Sequence, residues 1–293
     1  MERVLLLGAN GQLGTDLGHV LSQVLPAGGL VPLTRADLDI TDPEATERAL
    51  ARYRPDWVVN TAAFHRVDDI ETDAARAVAV NEVATGHLAQ ACARPGPRLL
   101  HLSTDYVFGG GPPGPYAEDA PPAPVSAYGR SKLAGERRVL AASPDHLVVR
   151  SSGLYGVAGS AGKGGNFVET MLWLAREGRP IRVVDDQVLT PTYTADLAHA
   201  IAGLIALNPP GGIYHLTNSG QCSWFEFARA IFALCRQTPR LEPTTSAEFN
   251  APAQRPPHSV LRNTRAAALG LPALRPWPDA LAAYLRAKGH LAA

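Results

Sequence analysis

The chain has 293 residues, of which 46% are hydrophobic and 18% charged, and its 27 Lys and Arg balance 27 Asp and Glu. This composition can bury a sizeable core and excludes a disordered polyelectrolyte. Zero net charge and the lack of a basic amphipathic segment argue against nucleic-acid and membrane partners.

The chain opens on the strand-like RVLLLGA, which reads as structure and not as a signal peptide, and no run of eighteen apolar residues follows. Cys92, Cys222 and Cys235 lie far apart without a CxxC pair, as expected of reduced thiols in a soluble cytoplasmic protein. The nine histidines are scattered, with no HExxH or Cys/His cluster, so no zinc site within the chain is expected, and a metal between subunits is left open.

In LLLGANGQLGTDL, Gly8, Gly11 and Gly14 stand between a strand and a helix. Such glycines let a backbone turn sharply and approach a pyrophosphate, which then meets the positive end of the helix. The spacing is GxxGxxG, not the usual GxGxxG. The second strand, GLVPLT, ends at Thr34 and Arg35 without an acidic residue, and an arginine there suits the 2′-phosphate of NADPH. Asp39 and Ile40 suit the edge and face of an adenine. Asp42 before Pro43 reads as a helix cap with proline at the first position.

A third strand, DWVVNTAA, ends in the small Ala62 and Ala63, with His65 on the following loop. A long helix is expected over ARAVAVNEVATGHLAQACA. The fourth strand, RLLHLST, carries Ser103 and Thr104 at its carboxyl end, the edge where α/β sheets bind ligands. A Pro-rich loop follows, then the helix YGRSKLAGERRVLAA and a fifth strand, HLVVRSS.

Apolar strands alternating with helices imply a doubly wound parallel α/β sheet of Rossmann type. After about residue 150 the rhythm loosens. A Gly-rich loop, GVAGSAGKGGN, leads into the helix FVETMLWLAREG, and IRVVDD, ADLAHAIAGLIAL, GIYHLTN, WFEFARAIFALC and PDALAAYLRA follow. We read 1–150 as the dinucleotide-binding domain with the catalytic residues, and 151–293 as mainly a smaller substrate-binding lobe intertwined with it. The GSAGKGG stretch is not a P-loop: Val157 stands where the first glycine belongs and Gly164 replaces Ser/Thr.

Tyr128 and Lys132 share one helix face at i, i+4. A ketone reductase needs a proton donor as the hydride arrives. A tyrosine serves if a nearby ammonium favours its phenolate, and a hydroxyl such as Thr104 can help to hold the carbonyl. The order Thr104…Tyr128-x-x-x-Lys132 behind an N-terminal glycine loop therefore points to nicotinamide chemistry.

These motifs resemble the extended short-chain dehydrogenase/reductases, and among them the dTDP-4-dehydrorhamnose reductase family. The resemblance runs almost end to end, through LLLGANGQLG, DLDITD, VVNTAAF, LSTDYVF, AYGRSKLAGE, GGNFVETML, DDQVLTPTYTADLA, GIYHLTNSG and RPPHSVL. It implies reduction of a dTDP-4-ketosugar to dTDP-L-rhamnose, with NADPH, or NADH, as cofactor. Tyr128 would be the acid/base, Lys132 would bind the nicotinamide ribose, and Thr104 would bind the carbonyl. Gly11, Gln12, Leu13, Asp39, Ile40, Ala62, Ala63 and His65 would line the cofactor, and Asp105 would touch the sugar. A homodimer is also expected.

Two departures bear on the sugar. The family's RTSWVYG reads RSSGLYG, so Gly153 replaces a tryptophan, and the GVAGSAGKGGN loop is longer than usual. Either closure of that loop restores the lost contact, with Asn166 supplying a polar group, which is the favoured reading, or the pocket is wider and admits a bulkier or more polar sugar. Competing readings are a nucleotide-sugar dehydratase or epimerase, and a non-catalytic cofactor-binding subunit resembling that of methionine adenosyltransferase. Dehydratases carry a second carboxyl after the one at Asp105, where this chain has Tyr106.

Overall fold

The computed structural model describes residues 2–93, 95–111, 114–159 and 165–291. In chain order the first half contains β1 (Val4–Leu7), α1 (Gln12–Val24), β2 (Leu30–Leu33), α2 (Pro43–Tyr53), β3 (Trp57–Asn60), α3 (Val67–Thr72), α4 (Ala74–Ala77), a π-helical stretch (Val78–Ala84), α5 (Thr85–Cys92), β4 (Arg98–Thr104), α6 (Ala127–Ala142) and β5 (Leu147–Ser151). The second half adds β6 (Leu154–Tyr155), α7 (Phe167–Arg176), β7 (Ile181–Val184), β8 (Val188–Leu189), β9 (Thr192–Tyr193), α8 (Thr194–Ala206), β10 (Gly212–His215), β11 (Cys222–Ser223), α9 (Trp224–Leu234), β12 (Leu241–Thr244), α10 (Ser246–Phe249), α11 (Thr264–Ala268) and α12 (Trp277–Ala287).

The main sheet has six strands in the order β10-β5-β4-β3-β1-β2, all parallel. Its strands are apolar because both faces are covered. In β1, Val4 and Leu6 join the core formed with α1 and α8, while Leu5 and Leu7 join the core formed with α2 and α5. This is the period-two alternation of a strand buried on both sides. The chain is thus an α/β protein with a Rossmann-like parallel sheet, as expected.

The second half returns to the first layer. β10 closes the edge of the sheet beside β5, and α8 packs on α1. What remains is built around an aromatic core of Tyr155, Tyr193, Phe227 and Tyr284, with α7, α9 and α12. Short strand pairs, β6–β9, β7–β12 and β8–β11, tie this lobe together.

The expected cap at Asp42 is present: its carboxylate accepts from Ala45 N at 2.9 Å, and Pro43 follows. The single long helix expected over residues 75–93 is broken instead into α4, the π-helical turn and α5. The wider turn places Asn81 so that its amide donates to the carbonyl of Phe64 (2.8 Å) and to the Ser131 hydroxyl (3.0 Å). Its oxygen accepts from Phe64 N at 2.9 Å. A π-bulge at this place fixes the β3 loop against α6, and such bulges are frequent at functional sites.

Candidate active site

The carboxyl ends of β1 to β5 open on a cleft of about 570 Å³. Every residue singled out from the sequence lies on it: Gly8, Gly11, Gln12, Leu13, Gly14, Arg35, Asp39, Ile40, Ala62, Ala63, His65, Thr104, Asp105, Tyr128, Lys132, Gly153 and Asn166.

At one end, α1 begins at Gln12 with Gly11 as its cap. No side chain satisfies the cap, and the first turn carries no acidic residue. The first N–H groups of a helix have no partner within it, so they and the positive end of the dipole face the cleft. Gly14 is required by packing, since a Cβ there would collide with the carbonyl of Gly8. Gln12 donates through Nε2 to the carbonyl of Leu154 at 3.1 Å, while its buried Oε1 has no partner among the described residues. A buried amide oxygen without a donor, beside an open helix terminus, fits a bound dinucleotide.

Arg35 is 71% exposed and gives Nε and Nη2 to Asp39 Oδ2 at 3.1 and 2.9 Å. Asp39 Oδ1 accepts from the backbone and hydroxyl of Thr41, which hold its carboxyl below the ordinary value. The two residues expected to read different parts of an adenosine are therefore paired with each other.

Tyr128 and Lys132 come from α6, whose cap is Ser126 accepting from Gly129 N at 3.1 Å. Tyr128 meets the ring of Tyr106 edge-on, 5.8 Å between centroids, and hydrogen-bonds to the hydroxyl of Thr104. Burial pushes its phenol above the ordinary value, the bond to Thr104 opposes the rise, and Asp105 adds to it. Tyr106 is held in turn by Arg255, whose Nη2 grips both oxygens of Asp68 at 3.0 and 2.9 Å.

Lys132 Nζ lies against β4, 2.9 Å from His101 Nε2, and donates to the carbonyl of Leu102 at 2.7 Å. Lys132 is 1% exposed, and burial pulls its pKa down to about 8, against the pull of Glu136. Glu136 is closed by a buried salt bridge to Arg150 at 2.6 Å and by the Ser103 hydroxyl at 2.5 Å.

Asp105 is buried and its carboxylate is fully engaged. It accepts from Thr104 (3.0 Å), Ser152 (2.8 Å) and Ser259 (2.6 Å). Burial raises its pKa, and those hydroxyls oppose the rise. Asn166 is also committed: it caps α7 by accepting from Glu169 N, and its amide donates to the carbonyl of Gly156 and to the Tyr284 hydroxyl, both at 3.0 Å.

Gly153 has φ +54°, and a Cβ there would come within 2.7 Å of Leu189 Cδ1. A tryptophan does not fit this backbone. Aromatic surface on the lobe side of the cleft comes instead from Phe167 and Trp224, whose rings lie 4.6 Å apart. Residues 160–164 of the Gly-rich loop expected to close over the sugar lie outside the described residues.

Sequence reasoning missed Tyr106, Phe167, Trp224 and the residues behind Lys132. Tyr106 was readable from its place beside Asp105. Trp224 carries no local signal, because it reaches the cleft only through the packing of the second lobe. Among the described residues, no group of three or more His, Cys, Asp or Glu side chains is disposed to hold a metal.

The sequence profile described as RmlD substrate binding domain matches residues 1–289. A dTDP-4-dehydrorhamnose reductase of Mycobacterium tuberculosis is 44% identical over 99% of this chain and 94% of its own length. A probable dTDP-4,6-dihydroxy-2-methyloxan-3-one 4-ketoreductase of Streptomyces antibioticus is also 44% identical, over 95% of this chain and 93% of its own. The crystal structure of dTDP-4-dehydrorhamnose reductase from Bacillus anthracis in complex with NADP superposes with a TM-score of 0.90 at 36% identity, covering 98% of this chain and 99% of that one.

Proposed function

The chain belongs to the dTDP-4-dehydrorhamnose reductase family, and on that premise we propose that it reduces the C4 ketone of dTDP-4-dehydro-6-deoxy-L-mannose, giving dTDP-L-rhamnose, with NADPH as reductant and NADH as the weaker substitute. The observation that carries the reading is the convergence of Thr104, Tyr128 and Lys132 with the open start of α1 on one cleft.

The N–H groups around Gly11, Gln12 and Leu13 hold the pyrophosphate, Arg35 the 2′-phosphate, Asp39 and Ile40 the adenosine, and Ala62, Ala63 and His65 the middle of the cofactor. When bound, the reduced dinucleotide supplies the hydride. Tyr128, kept protonated by its surroundings, passes its proton to the ketone oxygen. Thr104 steadies the phenol, and Lys132, once charged, favours the phenolate left behind. Tyr106, Phe167 and Trp224 supply apolar area for the nucleotide sugar. In this reading 1–150 holds mainly the cofactor and 151–293 mainly the sugar.

A second sugar is favoured by one observation. Gly153 leaves the cleft without the family's tryptophan, and the Streptomyces antibioticus relative is named for a different 4-ketosugar. A panel of nucleotide-4-ketosugars, read by NADPH oxidation, separates the two. Tyr128→Phe should lower kcat by roughly 10²–10⁴-fold while NADPH still binds. No oxidation with any ketosugar, or full turnover by the variant, overturns the assignment.

The same proposal includes a cytoplasmic setting, supported by three unpaired cysteines, and a homodimer. Exposed Trp173 on α7 and Leu234 on α9 support self-association, and sedimentation of the full chain measures it.

A further inference from the structure

Behind Lys132 runs a chain of hydrogen bonds whose direction is set at its far end. The backbone N–H of Ala62 donates to Asn60 Oδ1 at 3.0 Å. This leaves the amide nitrogen of Asn60 facing His101 Nδ1 at 3.2 Å. An amide nitrogen only donates, so Nδ1 must accept. A neutral imidazole then carries its hydrogen on Nε2, which lies 2.9 Å from Lys132 Nζ. Nε2 donates, and Nζ must accept.

An ammonium has three hydrogens and no lone pair, whereas an amine has two hydrogens and a lone pair. Lys132 Nζ also donates to the carbonyl of Leu102 at 2.7 Å. Only the amine completes this chain. Asn60 and His101 are 0% exposed and Lys132 is 1% exposed, so bulk solvent does not offer a mismatched pair new partners. An imidazolium would face the Asn60 amide with a second donor, and burial by itself holds His101 below its ordinary pKa.

The opposite polarity exists as a second state. Charged Lys132 can donate to Nε2 if the hydrogen moves to Nδ1 and the Asn60 amide turns over. That turn takes the acceptor away from Ala62 N–H, on the wall of the cleft. The two states differ by one proton.

We propose that His101 is a positioning residue that couples the charge of Lys132 to dinucleotide binding: in mildly alkaline solution the free protein holds Lys132 mainly as an amine, and an anionic dinucleotide in the cleft draws a proton from solvent onto Nζ and reverses the chain through Asn60. No electrons move in this step. It rests on the proposed cofactor but not on the proposed sugar. The charged groups around the pair are few. Glu136 faces Lys132 from the same helix and is closed by Arg150 of β5, while Tyr128 and Asp105 lie on the cleft side. Burial already pulls Lys132 down to about 8, in the same sense as the chain.

Calorimetric titration of the full chain with NADPH at pH 8.5, in two buffers of different ionisation enthalpy, counts the protons taken up. The 2′-phosphate is ionised at that pH and contributes none. Wild type should take up most of one proton per cofactor bound, since only a minor fraction of Lys132 is already charged at that pH. Asn60→Asp presents acceptors to both Ala62 and His101, which reverses the chain in advance, and uptake should fall to near zero. His101→Gln, which adds no charge, offers its own oxygen to a charged Lys132 and should do the same. It carries the comparison if the aspartate variant does not fold. Buffer-independent binding heat in the wild type, or variants that bind more weakly but take up protons as the wild type does, overturns the coupling. Absence of NADPH binding overturns the cofactor assignment with it, and is distinguished from buffer-independent binding by the missing heat itself.

Discussion

The hydroxyl of Thr104 donates to the carboxylate of Asp105 at 3.0 Å, so it meets the phenol of Tyr128 as an acceptor. Holding a ketone oxygen needs the opposite, a hydroxyl that donates to it. The carboxylate therefore competes with the substrate for the hydrogen of Thr104. Asp105→Asn should relieve the competition. Its oxygen can keep the hydroxyls of Ser152 and Ser259, while its amide donates to Thr104 and frees that hydrogen for the substrate. We expect kcat to stay within about threefold of wild type for Asp105→Asn, and Asp105→Ala to lose about 1–3 kcal/mol of stability by stranding buried hydroxyls. Steady-state kinetics and urea unfolding give the two readouts. A hundredfold loss in the asparagine variant would show that the charge itself is needed.

Arg35 and Asp39 form an exposed ion pair at the end of the cleft that follows β2. The Asp39 partner takes part of the guanidinium's charge, so Arg35 offers a 2′-phosphate less than a free arginine would. Arg35→Ala should weaken NADPH by about tenfold, the scale of one charge-assisted hydrogen bond, and should change NADH by much less. Fluorescence titration with both cofactors tests this, and equal losses would remove Arg35 from phosphate recognition.

The cleft takes its lobe-side aromatic surface from Trp224 and Phe167, and Gly153 has no room for a side chain. Trp224→Ala should raise KM for the nucleotide sugar by about tenfold and leave cofactor affinity unchanged. Gly153→Trp should not restore a family-like site. Its left-handed φ and the contact with Leu189 should cost about 1–3 kcal/mol. Thermal unfolding detects that loss. A stable variant with a lower sugar KM would show that the backbone at residue 153 yields easily.

Lys132 links stability to alkaline pH. Its pKa falls from an ordinary 10.5 to about 8 in the folded chain, chiefly through burial. Between those values the unfolded chain binds more protons than the folded one, so this group makes folding more favourable as pH rises. Its cost is fully present below about pH 8 and gone above about 10.5, on the order of 3 kcal/mol in all. Lys132→Met should therefore be more stable than wild type near neutrality, with the advantage shrinking as pH rises. Paired urea unfolding curves across that range measure it, and a constant gap would mean that Lys132 titrates normally.

The sequence carries the first half of this molecule because each element there is long and bounded. Four-residue apolar strands, glycine at the first turn and the Asp42–Pro43 pair each have a local physical cause. The cleft is legible for the same reason, since its candidate residues sit at strand ends, at the start of α1 or one turn apart on α6. The second lobe is not, because strands of two residues such as Val188–Leu189 and Thr192–Tyr193 show no periodicity. The π-helical turn at Val78–Ala84 is hidden as well, because one extra residue per turn leaves composition unchanged. Roles that depend on hydrogen-bond direction, such as those of His101 and Asp105, appear only once the partners on both sides of a group are known.

The last strand to enter the main sheet, Gly212–His215, pairs with Leu147–Arg150. On the ribosome β5 therefore emerges well before its neighbour, and for a time on the order of seconds its outer edge has no partner. An open apolar edge is a template for another chain. Newly made chains should be most prone to aggregate in that interval, and a nascent chain stopped once β5 has cleared the ribosome but before β10 has been made should need a chaperone that one stopped after residue 274 does not.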